Sequence, residues 1–237
     1  MSSGIYIASA GAVAQSNALD VTANNIANAS TAGFHGDRVT FKEALGKARS
    51  ADAASVGSGG SRVDTQSGAL QQTDNPLDLA IDGDGLFGVE SPTGTRYTRS
   101  GNFKLDEGRN IVTADGMKVR GEGGSPIVVP PNAQSISVGS DGSVSADGQL
   151  VGKLELVKFA PNQLKREGGS LFSAAGKPLG GEAPKLHAGM LEGSNVNVVR
   201  GVVDLVKVSR TYESLMRVIQ NYHDVESRAA KELGGPK

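Results

Sequence analysis

The chain has no cysteine and no tryptophan among its 237 residues. The missing thiols exclude disulfides, thiolate nucleophiles and cysteine-ligated zinc or iron–sulfur centres together. Aromatic residues make up only 4 %, which argues against a compact, aromatic-rich enzyme. Charge of either sign is in no excess, with 24 Lys plus Arg against 25 Asp plus Glu. No overall field therefore draws the chain to nucleic acid or to an acidic membrane. No run of some 18 apolar residues occurs, so no segment can cross a bilayer as a helix. The first basic residue is Arg38 and no long apolar run precedes it, so a cleavable secretory leader is not expected. What is abundant is glycine, 33 residues, about twice the usual share and a sign of many tight turns.

The chain reads as an α+β protein in three unlike segments. Residues 1–33 carry a single charged side chain, Asp20, among nine Ala, five Ser and four Asn. A seam of period 3.5 nevertheless runs through Ile5, Ala8, Ala12, Gln15, Leu19, Thr22 and Ile26, the pattern by which a helix presents one stripe to another. Its remaining faces are small and neutral, so other helices can approach without stranding buried ions. Residues 195–237 form the counterpart. Leu205, Val208, Tyr212, Leu215, Ile219 and Tyr222 make a second seam at 3–4 spacing, closed by Gly234 and Gly235. Small residues on the first seam facing large ones on the second predict a discontinuous helical hairpin, coiled-coil-like, built from the two chain ends.

Between the helices, residues 34–75 read as a connecting segment. Its stretch 46–62 has one Val and no Leu, Ile or Phe, too little apolar surface to offset chain entropy, which predicts a mobile loop. Residues 76–194 change to period 2, as in Leu77, Leu79 and Ile81, with Gly-containing turn pairs such as Asp84-Gly85, Asp141-Gly142 and Asp147-Gly148. This predicts an inserted, mainly antiparallel β domain.

Candidate chemistry is sparse. Gly83 to Gly88 fits G-x-G-x-x-G after a strand, so a nucleotide-dependent enzyme is a rival reading. The fingerprint requires a helix to follow, whereas Ser91-Pro92-Thr93-Gly94 is a turn sequence, which favours a hairpin. Asp78, Asp82 and Asp84 are read as solvent-facing turn acids, since the calcium-loop pattern breaks at Leu86. His35, His187 and His223 are scattered singly with no ligand spacing. The expectation is no catalytic, cofactor or metal site. Asn24, Asn25 and Asn28 admit two readings: amides bridging to neighbouring helices, or a helix fraying toward Gly33.

Several motifs together carry a family resemblance. Residues 23–34, ANNIANASTAGF, and residues 191–197, LEGSNVN, with RTYE at 210–213, resemble the N- and C-terminal signatures of the bacterial flagellar rod and hook protein family. Residues 75–87, NPLDLAIDGDGLF, and 97–103, YTRSGNF, are similar to its central motifs. The stretch from Gly121 to Lys158 is most like the proximal-rod branch, with a distal-rod or short hook-family subunit as the alternative. The resemblance implies a structural subunit of the basal-body rod that assembles with copies of itself and with other rod proteins. It also implies export by the flagellar type III apparatus without a cleavable signal, and no cofactor, nucleic acid or membrane insertion. Residues expected at the assembly interface are Leu19, Asn24, Asn25, Ile26 and Asn28 on the first helix, with Leu205, Tyr212, Leu215 and Ile219 on the second. One departure from the family pattern is Arg200-Gly201, where acidic residues are usual; it predicts that the second helix starts near Val202.

Overall fold

The computed structural model describes residues 3–39, 61–181 and 184–233. The chain divides into two compact units. One holds both long helices together with residues 37–39, 61 and 62; the other takes residues 28–36, 63–181 and 184–196. The expected mobile stretch lies outside the described residues except for Ser61 and Arg62, which begin a strand.

In the helical unit, α1 spans Ser3–Ala27 and α2 spans Val198–Leu233. Ala8, Ala12, Ala14 and Ala18 give α1 a buried stripe without bulky side chains. A Cβ on Gly4 would stand 2.6 Å from the Tyr222 hydroxyl, one on Gly11 would stand 3.3 Å from Leu215, and one on Gly201 would stand 2.9 Å from Ile26. Partners that ascend one helix descend the other, so the two run antiparallel. The small-against-large logic works in both directions, since Gly201 of α2 makes room for Ile26 of α1.

The second helix starts at Val198, earlier than Val202. Asn197 is the reason: its side-chain Oδ1 accepts from the Arg200 amide at 3.0 Å and its carbonyl accepts from Gly201 N at 2.9 Å. A capped first turn offsets what Gly201 costs. At the other terminus of α1, Asn25 reads the backbone of Asp37 as a strand would, its Nδ2 donating to the Asp37 carbonyl at 2.8 Å and its Oδ1 accepting from the Asp37 amide at 2.9 Å. Asp37–Val39, strand β1, pairs with Ser61–Val63, strand β2.

The other unit is the predicted antiparallel β domain. Its strands are β3 (Leu70–Gln72), β4 (Leu79–Asp82), β5 (Leu86–Ser91), β6 (Gly94–Thr98), β7 (Lys104–Leu105), β8 (Ile111–Val112) and β9 (Lys118–Val119). They continue with β10 (Ile136–Val138), β11 (Ser143–Ala146), β12 (Gln149–Lys153), β13 (Leu156–Val157), β14 (Leu164–Arg166), β15 (Leu171–Ala174), β16 (Lys185–Ala188) and β17 (Met190–Glu192). The largest sheet runs β14-β15-β6-β5-β9-β8-β7, with β13 also on β5; β10-β11-β12 form a second sheet, and β16-β4 and β17-β3 form two-stranded pairs. The β11–β12 connection is a two-residue turn in which Asp147 has φ 49° and Gly148 φ 78°, the conformation that matches strand twist in a tight hairpin.

Phe87, Val89, Phe103, Ile111 and Val119 form part of a core to which Leu79, Ile81 and Leu186 also contribute. The Phe87 and Phe103 rings meet edge to face at 5.0 Å. Leu79, Ala80 and Ile81 are all buried, so β4 is covered on both faces. That close cover needs Gly101, where a Cβ would stand 1.7 Å from the Leu79 carbonyl oxygen, a backbone atom that cannot move aside alone. Gly101→Ala is expected to lower the stability of the β unit by about 3 kcal/mol through forced backbone displacement; urea unfolding monitored on the β signal measures it.

Candidate functional site

Two of the sequence motifs, and the residue that follows a third, each contribute one ionisable side chain to a buried cluster in the β unit. His35 follows the first motif, Arg99 lies in the YTRSGNF motif, and Glu192 ends β17 inside LEGSNVN. The Glu192 carboxylate is 1 % exposed. Its Oε1 accepts from His35 Nε2 at 2.9 Å and from the Gly68 amide at 2.8 Å, and its Oε2 accepts from Arg99 Nε at 2.5 Å. Arg99 spends its other donors on the bend between β4 and β5: Nη1 donates to the Gly85 carbonyl at 2.6 Å, and Nη2 to those of Gly83 at 2.7 Å and Ile81 at 2.9 Å. An anion taken out of water is tolerable only with such full pairing.

The backbone is drawn in around the same point. Gly33 donates its amide to the Glu192 carbonyl at 2.7 Å. At φ 64° it lies so close to the Arg99–Ser100 peptide that a Cβ would fall 2.4 Å from Arg99 C, so glycine is required on both counts. Asn195 completes the junction. Its Oδ1 accepts from Gly36 N at 2.8 Å, its Nδ2 donates to the carbonyls of Asp64 and Gln66, and its amide donates to the Phe34 carbonyl at 3.2 Å. Phe34 is fully buried. The Arg166 guanidinium stands 4.6 Å from its ring centroid and 4.9 Å from that of Phe172, while also donating to the His35 carbonyl. Residues just after α1 and just before α2 are thus fastened to each other within the β unit.

Burial pushes the Glu192 carboxyl up, but the His35 hydrogen bond, the Arg99 charge and the Gly68 amide outweigh it, and its pKa lies below the ordinary glutamate value. The arrangement holds a charge, with both Glu192 oxygens and all three Arg99 guanidinium nitrogens bonded to the chain itself. Among the described residues, no group of three or more His, Asp or Glu side chains is placed to hold a metal.

The Gly83–Gly88 motif is a connector rather than the hairpin the sequence suggested. β4 pairs with β16 and β5 with β6, β9 and β13, so the two strands flanking the glycines belong to different sheets. The residues after Gly85 continue as strand β5, where a dinucleotide site needs a helix N-terminus. The loop also turns carbonyls toward Arg99. A cavity of about 260 Å³ beside it is lined by Leu86, Phe159, Leu164, Phe172 and Leu179, with His35 and Arg99 at one side. Asp78 is a correction to the solvent-facing reading: it is buried, accepts from Asn75 Nδ2 at 3.1 Å and bridges to Asn102. Asp82 and Asp84 are exposed as expected.

Of the residues expected at an assembly interface, Ile26 lies against Gly201 and Leu215 against Gly11, inside the helical unit. Leu19, Leu205, Tyr212 and Ile219 are half-buried and Asn24 is exposed. Asn25 is engaged with Asp37 as described, and Asn28 accepts from the Thr31 hydroxyl at 3.3 Å. Sequence reasoning missed the ion cluster. The available signal was a lone charge set among small residues in two of the motifs, Arg99 and Glu192, of opposite sign.

Comparison with known proteins agrees with these motifs. Residues 5–35 match the family described as flagella basal body rod protein, residues 80–146 the flagellar hook protein FlgE/F/G D1 domain, and residues 187–232 the flagellar basal body rod FlgEFG protein C-terminal family. The chain is 36 % identical to the flagellar basal-body rod protein FlgG of Bacillus subtilis over 87 % of its length and 90 % of that protein. It is 31 % identical to the flagellar basal-body rod protein FlgF of Rhizobium meliloti over the whole of both chains, and 32 % identical to that of Escherichia coli over 98 % and 99 %.

Two outcomes follow from the cluster. Glu192→Gln, which keeps shape but strands Arg99 beside a neutral group, is expected to cost about 3–5 kcal/mol in urea unfolding. Because the folded-state pKa of Glu192 is depressed, its stabilisation is complete above the unfolded value of about 4.3 and is lost as pH falls through the lower folded value. The wild-type protein should therefore lose stability on acidification in that window more steeply than Glu192→Gln, as thermal melting against pH will show.

Proposed function

Because the chain belongs to the flagellar basal-body rod and hook protein family, it is a structural subunit of the rod, and we propose that its place is the proximal rod, as an FlgF-type member. The full-length match to FlgF proteins supports that placement, as does the proximal-type stretch from Gly121 to Lys158. A distal-rod role is the second reading, favoured by the 36 % identity to an FlgG protein.

The observation that carries the assembly mechanism is apolar surface left uncovered on both helices. On α2, Val199 is 76 % exposed and Val203 62 %, with Val202 and Val206 beside them. Spaced i, i+3, i+4 and i+7, these four form one continuous stripe. On α1, Tyr6 and Ile7 are 57 % and 64 % exposed, with Val13 one to two turns on. Contiguous valine in water on a monomer is a surface awaiting a partner. Copies and other rod proteins cover it by heterologous contacts that do not close on themselves, the geometry that generates a helical tube.

We infer further that α1 and α2 pair in coiled-coil fashion. Gly4 with Tyr222 and Gly11 with Leu215 are one heptad apart on both helices. Leu19, Asn24, Asn25, Ile26, Asn28, Leu205, Tyr212, Leu215 and Ile219 then act in assembly chiefly by fixing the shape of the pair, and the valine stripe supplies contact with neighbours. The protein reaches the basal body through the flagellar type III export apparatus, and the rod transmits torque through such packed interfaces.

Val203→Asp tests the mechanism. The variant should fold with an unchanged melting temperature, yet enter isolated basal bodies at least about tenfold less than wild type, because its charge must be desolvated at the contact. Normal incorporation with normal motility would remove the stripe from the interface.

A further inference from the structure

Five Asp–Gly pairs lie in the β unit, beginning at Asp82, Asp84, Asp115, Asp141 and Asp147. Such a pair carries a latent reaction. The glycine amide nitrogen attacks the aspartate Cγ, a C–N bond forms, a C–O bond breaks and water leaves, giving a succinimide. Water then reopens the ring, and cleavage of the bond from nitrogen to the original main-chain carbonyl leaves isoaspartate, whose backbone runs through Cβ and Cγ. The net change is an isomerisation with solvent water as the sole co-reactant. Ring closure needs a carboxyl group free to rotate and an amide free to be attacked; glycine removes the steric obstacle at all five sites.

The fold sorts the five sites by those two needs. The Asp147 Oδ1 accepts from the Ser135 amide at 2.8 Å and hydroxyl at 3.0 Å, and from Gln134 N at 3.1 Å. The Asp141 Oδ1 accepts from Ser143 Oγ at 2.6 Å and Ser143 N at 3.1 Å. These bonds fix both carboxyls and hold them ionised, the poorer electrophile, with pKa values below the ordinary one. The following amide is tied at Gly142, which donates to the Gly139 carbonyl, and at Gly116, which donates to that of Thr113. Asp82 is paired with Lys185 in the β4–β16 ladder and lies 3.5 Å from His187 Nε2.

Asp84 differs from Asp141 and Asp147 at its carboxyl and from Asp115 and Asp141 at the following amide, and unlike Asp82 it lies outside the β4–β16 ladder. Its side chain is exposed, and among the described residues neither its carboxylate nor the Gly85 amide has a hydrogen-bond partner. Arg99 hooks the Gly83 and Gly85 carbonyls, which belong to the peptide groups on either side, so the Asp84–Gly85 peptide lies between two held peptides without being held by Arg99 itself.

We propose that Asp84–Gly85 is a site of spontaneous isoaspartate formation and that the change loosens the Arg99–Glu192 clamp. The product adds one main-chain atom between two carbonyls that a single rigid guanidinium grips, so both grips cannot survive. A subunit of a long-lived assembly would thereby age from this bend outward.

The test is incubation of the full-length protein at neutral pH, with peptide mapping by electron-transfer mass spectrometry to place isoaspartate at each of the five pairs. In the native protein Asp84 should accumulate at least about tenfold more than Asp141 or Asp147, while in concentrated urea the five should become comparable, because protection resides in the fold. Accumulation at Asp84 no greater than at Asp141 and Asp147, or the same ranking in urea, overturns the assignment. The aged wild type should also show a lower urea midpoint than Asp84→Glu aged alongside it, since Glu closes the corresponding six-membered ring much more slowly. Equal midpoints, with isoaspartate present at Asp84 in the wild type, overturn the link to the clamp.

Discussion

A carboxylate that water scarcely touches must be paid for by its neighbours, and Glu192 dictates what stands around it. Its two oxygens take a histidine, an arginine and a main-chain amide. The arginine in turn fixes the bend at Gly83 and Gly85, and the main chain at Glu192 fixes Gly33. Removing any one partner leaves a desolvated group with nothing equivalent to turn to, which gives the junction its all-or-none character. Glycine at positions 33 and 68 follows from the same demand, since the backbones that carry the charges must approach closer than a Cβ permits.

The two units solve opposite problems. The β unit closes a core of its own, and its Glu192 ion cluster and close glycines are paired within it. The helical unit is satisfied on one face only. Glycine and alanine on α1 accept Tyr222 and Leu215, Gly201 accepts Ile26, and the valines of α2 are left toward solvent. A subunit that must join a larger structure benefits from this division, because the part awaiting neighbours can change its surroundings while the other keeps its fold.

The β unit also shows why a motif string alone misleads. Gly83 to Gly88 spells a phosphate loop, yet the glycines serve a chain that leaves one sheet, passes under an arginine and enters another. The same two residue types, Asp and Gly, make a tight hairpin at Asp147, where donors from Ser135 and Gln134 hold the side chain, and an open bend at Asp84. Local composition is identical; the partners brought by distant segments are not.

Sequence alone determined the α+β class, the two terminal helices with their small and large stripes, the antiparallel character of the middle and the family. These follow from periodicity, turn chemistry and motif order, which are properties of neighbouring residues. It also supplied the contact of Ile26 and Leu215 with the opposite helix, because heptad spacing encodes a face. Tertiary structure alone decided that His35, Arg99 and Glu192 share one buried point, that Asp78 is internal and that Asn25 holds Asp37. The physical reason is common to all three. Pairing energy depends on distance and desolvation, and residues separated by up to 157 positions acquire both only when the chain has folded.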